Sequence, residues 1–318
     1  MRAFYTLVLW LAQPLLLLKL WWRGAREHGY RTHVGERFGW FGQAQAPMDS
    51  SGVCVWVHAV SLGETRAAAP LIDALRTCVP GMRLLLTHGT ATGRAEGQRL
   101  LRPGDQQAWL PWDTPGAVGR FLKRFQPRVG VLMETEVWPN LVAACQRQGL
   151  PLVLANARLS DKSLNQALRW RSLSLPAYGS LGGVLAQSDA DAVRLRALGA
   201  PVAGVFGNLK FDAQPDPSLL DLGRRWRESL GRPVWLLASS REGEEADFLR
   251  CLEEMWPVAS ADAKKNATYN IANDRPWILI VPRHPQRFDE VQALIVKAGW
   301  RCERRSAWTD IGPAGGHA

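Results

Sequence analysis

Short apolar runs alternate with segments of helical periodicity from residue 53 onwards. The apolar runs predict strands at 53–57, 83–87, 129–133, 152–155, 183–186 and 202–206. The periodic segments between them predict helices at 64–77, 93–101, 117–125, 139–148 and 190–198. Repeated strand and helix units of this length are typical of a parallel sheet covered by helices. We therefore predict an α/β fold whose first Rossmann-like domain occupies residues 23–212.

A second series of strands and helices follows a polar, proline-rich stretch at 212–218, which predicts a domain boundary. Its helices are predicted at 219–230, 242–255 and 288–298, and its strands at 234–238 and 277–281. The polar segment 259–275 predicts a solvated insertion. Two strands are few for the sheet of a whole domain. We therefore expect the second domain, residues 213–318, to be incomplete.

The segment before the first domain is almost entirely apolar and predicts a membrane anchor helix over residues 1–22. The run from residue 4 to 22 would form a helix roughly 28 Å long, close to the thickness of a bilayer core. It ends in aromatic and then basic residues, namely Trp21, Trp22, Arg23, Arg26, Arg31 and Arg37. This order predicts a protein body on the cytoplasmic side. Pro14 and Lys19 leave open whether the helix spans the bilayer or lies in its interface.

The charge of the chain favours polyanionic partners. Its 39 basic and 29 acidic side chains give a net charge of +10, which suits nucleic acid, an anionic membrane or phosphorylated substrates. No nucleic-acid-binding motif accompanies this charge, so we expect no nucleic acid partner. The 5 cysteines are widely spaced, without a Cys-x-x-Cys pair. We expect buried free thiols, no metal site and no cofactor.

The turn after the first predicted strand contains the strongest candidate for a catalytic residue. Residues 58–64 (HAVSLGE) place Ser61 and Gly63 in a small polar turn that leads to Glu64 at a helix start. Open α/β sheets form their ligand crevices at the carboxyl ends of strands, where Glu64 would lie. A carboxylate in the first helical turn can equally serve only to complement the helix dipole. Both interpretations of Glu64 stay open on these residues alone.

Polar residues follow other predicted strands in the same way. Glu134 and Glu136 follow the strand at 129–133, Asn156 and Arg158 follow the next strand, and Lys210 follows the last one. Carboxylates two residues apart can serve different purposes, one facing a crevice and the other a helix terminus. Lys210 could meet a carboxylate or phosphate, or be merely solvated. The loop at 88–93 (HGTATG) could offer amides to an anion or be an ordinary turn.

Two strand ends in the second half resemble ligand-binding loops. Ser239 or Ser240, after the strand at 234–238, is a candidate helix N-cap and anion donor. Pro282, Arg283 and His284 end the next strand and suit a phosphate or carboxylate clamp, although His284 could equally be a turn histidine. The sequence has no Walker A, Gly-x-Gly-x-x-Gly, His-Glu-x-x-His or Gly-x-Ser-x-Gly motif. ATPase, dehydrogenase, zinc protease and serine hydrolase functions are therefore disfavoured.

Five segments in one order resemble the 3-deoxy-D-manno-octulosonic acid (Kdo) transferase family of lipopolysaccharide synthesis. They are HAVSLGE at 58–64, METEVWPN at 133–140, LANARLS at 154–160, GNLKFD at 207–212 and VPRHPQRF at 281–288. The resemblance implies a GT-B glycosyltransferase at the cytoplasmic face of the Gram-negative inner membrane. Such an enzyme moves Kdo from CMP-Kdo to a lipid A precursor with inversion.

The resemblance also implies roles for particular residues. Glu64 matches the catalytic base, Glu134 and Lys210 match residues that support the transition state, and Pro282-Arg283 matches a CMP-binding strand end. The other candidates are expected to bind substrate: Ser61, Gly63, Glu136, Asn156, Arg158, Ser239, Ser240 and His284. No metal is implied.

The chain departs from the family at its carboxyl end. The family continues with Gly-Asp-x-Met-Gly-Glu and Gly-Gly-x-Asn segments, whereas this sequence ends in GPAGGHA at 312–318. We expect a C-terminally truncated chain, whose activity stays open. Two alternatives remain: another membrane-associated GT-B transferase that uses a different nucleotide sugar, and a non-catalytic protein that binds anionic lipid.

Overall fold

Seven strands of the first unit pair in parallel throughout in the computed structural model. They are β1 (Cys54–His58), β2 (Arg83–His88), β3 (Gln106–Trp109), β4 (Val129–Met133), β5 (Leu152–Ala157), β6 (Gly183–Ala186) and β7 (Val202–Val205). Their order across the sheet is β3-β2-β1-β4-β5-β6-β7. The order reverses direction between β1 and β4, which is where parallel sheets open a crevice for ligands.

Helices connect successive strands of this sheet and precede it. They are α1 (Arg2–Arg26), α2 (Leu62–Cys78), α3 (Ala91–Gly97), α4 (Pro115–Phe125), α5 (Pro139–Arg147), α6 (Asp161–Arg169), α7 (Arg171–Gly179) and α8 (Asp189–Ala197). The structure describes residues 1–42, 52–213, 215–256 and 276–308. The insertion predicted at 259–275 and the last residues, 309–318, lie outside the described residues.

The second unit, Pro215–Ala318, has its own parallel sheet. Its described elements are β8 (Val234–Ser240), β9 (Trp277–Pro282), α9 (Pro217–Leu230), α10 (Glu244–Met255) and α11 (Phe288–Lys297). The first unit is Met1–Gln214. The predicted α/β class with two separate parallel sheets is thus confirmed.

Alternation along the central strand explains why the sheet is covered on both faces. In β1, Val55 and Val57 belong to one buried cluster, whereas Cys54 and Trp56 belong to another. Successive side chains of a strand point to opposite faces, so each face of the sheet packs against its own layer. The indole of Trp56 also donates to the hydroxyl of Thr87 at 2.8 Å, which satisfies a polar group that would otherwise be buried unpaired.

The sequence patterns missed three elements. Strand β3 begins with Gln106 and Gln107, whose polarity hides it, yet it pairs with β2 at the edge of the sheet. Helices α6 and α7 were also not predicted. Helix α6 has no fully buried residue, and only Leu164 and Ala167 pack on the core from it, so its apolar stripe is short.

The cysteines are free, as predicted, but they are not all buried. Cys54 and Cys145 are buried, Cys302 is intermediate, and Cys78 and Cys251 are exposed. The expectation of buried thiols was wrong for these last two. Cys78 is the last residue of α2, and Cys251 lies on a face of α10 that the described residues leave open to solvent.

Helix α1 is long and apolar enough to cross a membrane by length and composition, with a mean hydropathy of 1.6 in an 18-residue window within Arg2–Ala25. Its amino-terminal end is tied to the first unit by the buried carboxylate of Asp113. The hydroxyl of Tyr5 donates to Asp113 Oδ2 at 3.0 Å. The amides of Asn140 and Leu141, at the start of α5, donate to the same carboxylate at 2.9 and 2.7 Å.

The segment after α1 is tied to the carboxyl ends of β2 and β3. The Arg37 guanidinium donates to the carbonyl oxygens of Gly89 at 2.9 Å and Leu110 at 3.2 Å, and it lies 4.2 Å from the ring centroid of Trp109. Glu36 pairs with Arg94 at 2.7 Å and accepts the Trp109 amide. Buried polar groups are satisfied here by specific partners, so this segment has a fixed place on the sheet.

The pKa of Asp113 predicts a pH-dependent stability. Burial raises this pKa from 3.8 to about 6, and the hydrogen bonds from Asn140, Leu141 and Tyr5 only partly offset it. A raised carboxyl pKa means that the folded state holds the proton more tightly than the unfolded state, so stability is lost as the pH rises through the folded pKa. Between about pH 4 and about pH 7, we expect the wild-type free energy of unfolding to fall by about 2 kcal/mol relative to Asp113→Asn.

Denaturant unfolding in detergent at a series of pH values measures this difference. The amide introduced by Asp113→Asn does not titrate in this range, so subtracting the curve of this variant removes the contribution of all other groups. Parallel pH curves for the two proteins would show that the carboxylate keeps an ordinary pKa.

Candidate functional site

The turn between β1 and α2 fixes the carboxylate of Glu64 from both sides. Ser61 is the N-cap of α2, and its hydroxyl oxygen accepts the Glu64 amide at 3.3 Å. The Ser61 hydroxyl donates to Glu64 Oε1 at 2.9 Å, and the amide of Val60 donates to Glu64 Oε2 at 2.9 Å. This is close to a capping box, in which cap and carboxylate satisfy each other's backbone. Gly63, one residue earlier, is exposed.

The surroundings of Glu64 also change the pKa of its carboxylate. Burial is the largest influence on its pKa and raises it above 4.5, while the hydrogen bonds from Val60 and Ser61 lower it. The negative charges of Glu136 and Glu134 raise it further. A carboxylate with these properties can accept a proton from a weakly acidic hydroxyl. The capping interpretation of Glu64 is confirmed by these contacts, and its role in chemistry stays a prediction.

Glu134 follows β4 directly, and its backbone has a conformation that residues other than glycine seldom adopt. Its φ is 57°, in the left-handed region, which costs about 1–2 kcal/mol for such a residue. Backbone hydrogen bonds hold it there, since its amide donates to Ala155 and its carbonyl accepts from Arg158. The side chain is buried, and its Oε2 lies 2.7 Å from Arg158 Nε. Strain of this kind concentrates at functional sites.

Glu136 lies between an indole and an imidazole. Trp138 Nε1 donates to Glu136 Oε2 at 3.0 Å. His58 Nε2 lies 3.9 Å from the same oxygen, is buried, and has no hydrogen-bond partner among the described residues. His58 Nδ1 is 2.9 Å from the Thr87 hydroxyl oxygen, which fixes the ring. His58 ends β1 and was not among the predicted site residues. Its signal in the sequence was a polar residue that ends an apolar run.

Asn156 connects the end of β5 to the turn that carries Lys210. Asn156 has a φ of 52°, and its Oδ1 accepts the amide of Leu209 at 3.1 Å. Its carbonyl accepts from Gln187, whose own amide oxygen accepts from Asn208 at 3.1 Å. Asn208 Oδ1 in turn accepts the Lys210 amide at 3.0 Å. Sequence reasoning missed Gln187 and Asn208, because this relay joins three strand ends that are far apart in the chain.

The structure brings six of the predicted residues to one edge of the first unit. Glu64, Glu134, Glu136, Arg158 and Lys210 follow the carboxyl ends of strands β1, β4, β5 and β7, and Asn156 is the second-last residue of β5. The first three of these strands are neighbours in the sheet. Leu209, beside Lys210, packs on the apolar cluster that includes Ala68 and Ile72 of α2. The helix that begins near Glu64 therefore supports the Lys210 turn.

The loop at 88–93 is an ordinary turn between strand and helix. Thr90 caps α3 by accepting the Gly93 amide. His88 is fully buried, and burial lowers its pKa to about 3, so the ring is neutral. Its Nδ1 lies 2.9 Å from the Ala59 carbonyl oxygen, and its Nε2 lies 2.9 Å from Gln107 Nε2. These contacts give His88 a packing role.

The remaining predicted residues lie in the second unit and form a group of their own. Arg283 and His284 are exposed just after β9, and the Arg283 amide donates to the Ser240 carbonyl oxygen at 3.0 Å. Ser239 has a φ of 59° at the end of β8, whereas Pro282 ends β9.

The expectation that Ser239 or Ser240 caps the next helix was wrong. Gly243 is the N-cap of α10. The Ser240 hydroxyl instead donates to the buried carboxylate of Glu245 at 2.6 Å, so it is already engaged. Arg287 donates to both oxygens of Glu245, at 2.9 and 3.0 Å, and so fixes this carboxylate. The fixed carboxylate in turn holds the Ser240 hydroxyl.

Comparison with known proteins gives the same family for the chain in each sequence match described below. The sequence model of the family described as 3-Deoxy-D-manno-octulosonic-acid transferase (kdotransferase) matches residues 32–213, which include all six residues at the edge of the first unit. A 3-deoxy-D-manno-octulosonic acid transferase from Bordetella pertussis is 48% identical over 96% of this chain and 69% of its own length. One from Haemophilus influenzae is 31% identical over 96% of this chain and 68% of its own length.

Solved structures add little. The match to the solved structure of UDP-GlcNAc 2-epimerase from Neisseria meningitidis covers 76% of this chain and 75% of the epimerase chain, with a TM-score of 0.45 and 14% identity. This similarity is too weak to bear on function. The sequence relationships stand without it. The match over more than half of the chain, together with the two transferases, shows that the chain belongs to the 3-deoxy-D-manno-octulosonic acid transferase family.

Proposed function

We propose that this protein is an inverting transferase that moves Kdo from CMP-Kdo to a lipid A precursor (lipid IVA), with Glu64 as the catalytic base. The observation that carries the proposal is the Glu64 carboxylate, held by Val60 and Ser61, with a pKa that burial raises. A sugar hydroxyl is a poor nucleophile, and a base with a raised pKa removes its proton more effectively. The identity of the transferred sugar, Kdo, is inferred from the family to which the chain belongs.

The reaction needs one proton transfer and one displacement. Glu64 takes the proton of the acceptor hydroxyl while the oxygen attacks the anomeric carbon of Kdo from the face opposite CMP. The bond from that carbon to the phosphate oxygen breaks, and CMP leaves with the bonding electrons. Attack from the opposite face inverts the anomeric configuration. The proton ends on Glu64 and passes to solvent after the product leaves.

Glu134 and Lys210 would act on charge that develops during this step. The negative charge of Glu134 is partly offset by its ion pair with Arg158, so the pair can orient a substrate without adding a full negative charge. Lys210 is an exposed cation on a turn that Asn156 and Asn208 hold in place. Positive groups fixed near a leaving phosphate stabilise the transition state without reorganisation.

The second unit would bind the CMP portion of the donor. Arg283 and His284 are exposed at a strand end beside Ser239. Guanidinium groups and backbone amides at strand ends suit a phosphate. In this proposal, Pro282 shapes that strand end and Ser240 keeps its partner Glu245 in place.

Association with the cytoplasmic face of the inner membrane belongs to the same proposal. Helix α1 exposes large apolar side chains to solvent along its length, among them Leu11 at 71% and Leu15 at 69%. Apolar surface of this extent is costly in water and is removed by contact with lipid. A lipid acceptor is confined to a membrane, so the enzyme that modifies it benefits from being held there too.

Replacing Glu64 tests the proposed base. We expect Glu64→Gln to lower the rate of Kdo transfer from CMP-Kdo to tetraacylated lipid A precursor by about 10²–10⁴-fold, because glutamine keeps the shape but cannot take a proton. Thin-layer chromatography with a radiolabelled acceptor measures the product. Glu228→Gln, an exposed residue of α9, is the matched control and should keep full activity.

The assay should compare the 318-residue chain with the same chain extended by the family's C-terminal segment. Transfer by either form that is lost in Glu64→Gln supports the proposal. Absence of transfer in both forms, with circular dichroism showing folded protein, would contradict it. Transfer that survives Glu64→Gln would remove Glu64 from the role of base.

The pH profile tests the environment of Glu64. Because its pKa is raised, we expect activity to fall on acidification with a midpoint above 4.5. Glu136→Gln removes one of the charges that raise this pKa, so the midpoint should move to lower pH. It should stay above the ordinary glutamate value, since burial is the larger cause. An upward shift in this variant, or a wild-type midpoint at 4.5, would contradict the assigned environment.

A further inference from the structure

Helix α1 has two faces along its whole length. One face is apolar and exposed, and includes Phe4, Leu7, Leu11, Leu15 and Leu18. The other is partly shielded, and includes Tyr5, Thr6, Leu9, Ala12, Gln13, Leu16, Leu17 and Leu20. Residues three and four apart lie on the same side of a helix. A helix that crosses a bilayer alone meets lipid on all sides, whereas this one is partly shielded along one side.

Both ends of α1 are attached to the first unit. At the amino-terminal end, Tyr5 donates to Asp113 and Asn140 Nδ2 donates to Thr6 Oγ1 at 2.9 Å. At the carboxyl end, Arg31 donates to the Trp21 carbonyl oxygen at 2.9 Å. Thr6 and Trp21 are about 22 Å apart along the helix axis. A helix held at both ends by one unit lies along that unit.

The chain beyond α1 continues this attachment. The ring of Tyr30 stacks on Trp109 at a centroid distance of 6.3 Å, and Trp109 Nε1 donates to the Thr32 carbonyl oxygen at 2.9 Å. Gly24 lies so close to Arg31 that an added Cβ would meet its side chain at 2.5 Å. The return of the chain from α1 to the sheet is therefore closely packed.

The attachment would be costly to break. Asp113 and Asn140 are buried, with exposed fractions of 5% and 4%. If α1 stood upright in a bilayer, Tyr5 and Thr6 would leave these two side chains. The hydrogen bonds of Tyr5 and Thr6 to buried side chains would then be lost, while the bonds between Asp113 and Asn140 would stay. The apolar face, by contrast, can be buried in lipid without moving the helix.

The attachments also fix where α1 runs. Asp113 lies four residues after β3, and Asn140 lies four residues after Glu136. Arg37 bonds to carbonyl oxygens at the ends of β2 and β3. Both ends of α1 are therefore held at the carboxyl edge of the sheet, the edge that carries Glu64 and Glu134.

Resting on the membrane association proposed above, we propose that α1 lies flat in the headgroup and acyl boundary of one leaflet and does not span the bilayer. Its apolar face enters the lipid, while Arg2, Lys19 and Arg23 reach the phosphate layer. The leaflet then runs beside the carboxyl edge of the first unit. A lipid acceptor can present its sugar to Glu64 while its acyl chains stay in the membrane.

Depth measurements along α1 distinguish a flat helix from a spanning one. Phe4, Leu11 and Leu18 are seven residues apart on the exposed face, with exposed fractions of 57%, 71% and 67%. Each is replaced singly by cysteine, in a chain carrying Cys78→Ser, Cys251→Ser and Cys302→Ser, and labelled with a fluorophore. The proteins are bound to phosphatidylethanolamine and phosphatidylglycerol vesicles that contain a nitroxide near either the headgroup or the acyl-chain end.

For a flat helix, we expect the shallow nitroxide to quench all three probes more strongly than the deep one, with equal ratios. A spanning helix would make the Leu11 probe deep and the other two shallow, which would overturn the proposal. Equal but deep quenching at all three positions, or no binding to the vesicles, would also overturn it. A probe at Val193, exposed on α8, is the matched control and should not be quenched. Turnover is not needed, so failure here is separable from failure of the transferase proposal.

Discussion

Parallel pairing of β1 with β4, and of β4 with β5, is the constraint on which the rest of the first unit depends. It directs the carboxyl ends of three neighbouring strands to one edge. Polar residues at these strand ends are buried with hydrogen-bonding partners, as Glu134 and Asn156 are. Glu64, Glu134 and Asn156 therefore lie at the same edge, although 70 and 92 residues separate the second and third from the first along the chain. The candidate site follows directly from how the sheet is assembled.

The same edge concentrates features that are costly to maintain. Glu134 and Asn156 adopt left-handed backbone conformations, and the carboxylate of Glu64 has a pKa that burial raises. Backbone hydrogen bonds with Ala155 and Arg158 hold Glu134 in place. The relay through Gln187 and Asn208 holds Asn156. Local strain supported by surrounding order is typical of sites that position reacting groups.

Asp113 links this edge to the apolar amino-terminal helix. Its carboxylate caps α5 through two backbone amides and also receives the hydroxyl of Tyr5 in α1. One buried residue thus connects the surface that would meet lipid with a helix that begins three residues after Glu136. The geometry joins lipid contact and candidate chemistry on one side of the sheet.

Local sequence patterns were sufficient for most of the elements, because covered parallel strands are short apolar runs and the helices between them repeat their apolar residues. They failed at β3, whose polar Gln106 and Gln107 are accommodated at the sheet edge. They also failed at α6, which has no fully buried residue. Where packing supplies the stability, local pattern carries too little information.

The pattern of apolar runs was enough to locate the strand ends, and so to name Glu64, Glu134, Glu136, Asn156, Arg158 and Lys210 as candidates. It also determined the apolar length of α1. Only the tertiary structure decided that Glu64 is buried enough for its pKa to rise, that Ser240 is engaged by Glu245, and that α1 is held at both ends. Burial, partner choice and helix direction depend on contacts between residues far apart in the chain. A local pattern of polar and apolar positions does not specify such contacts.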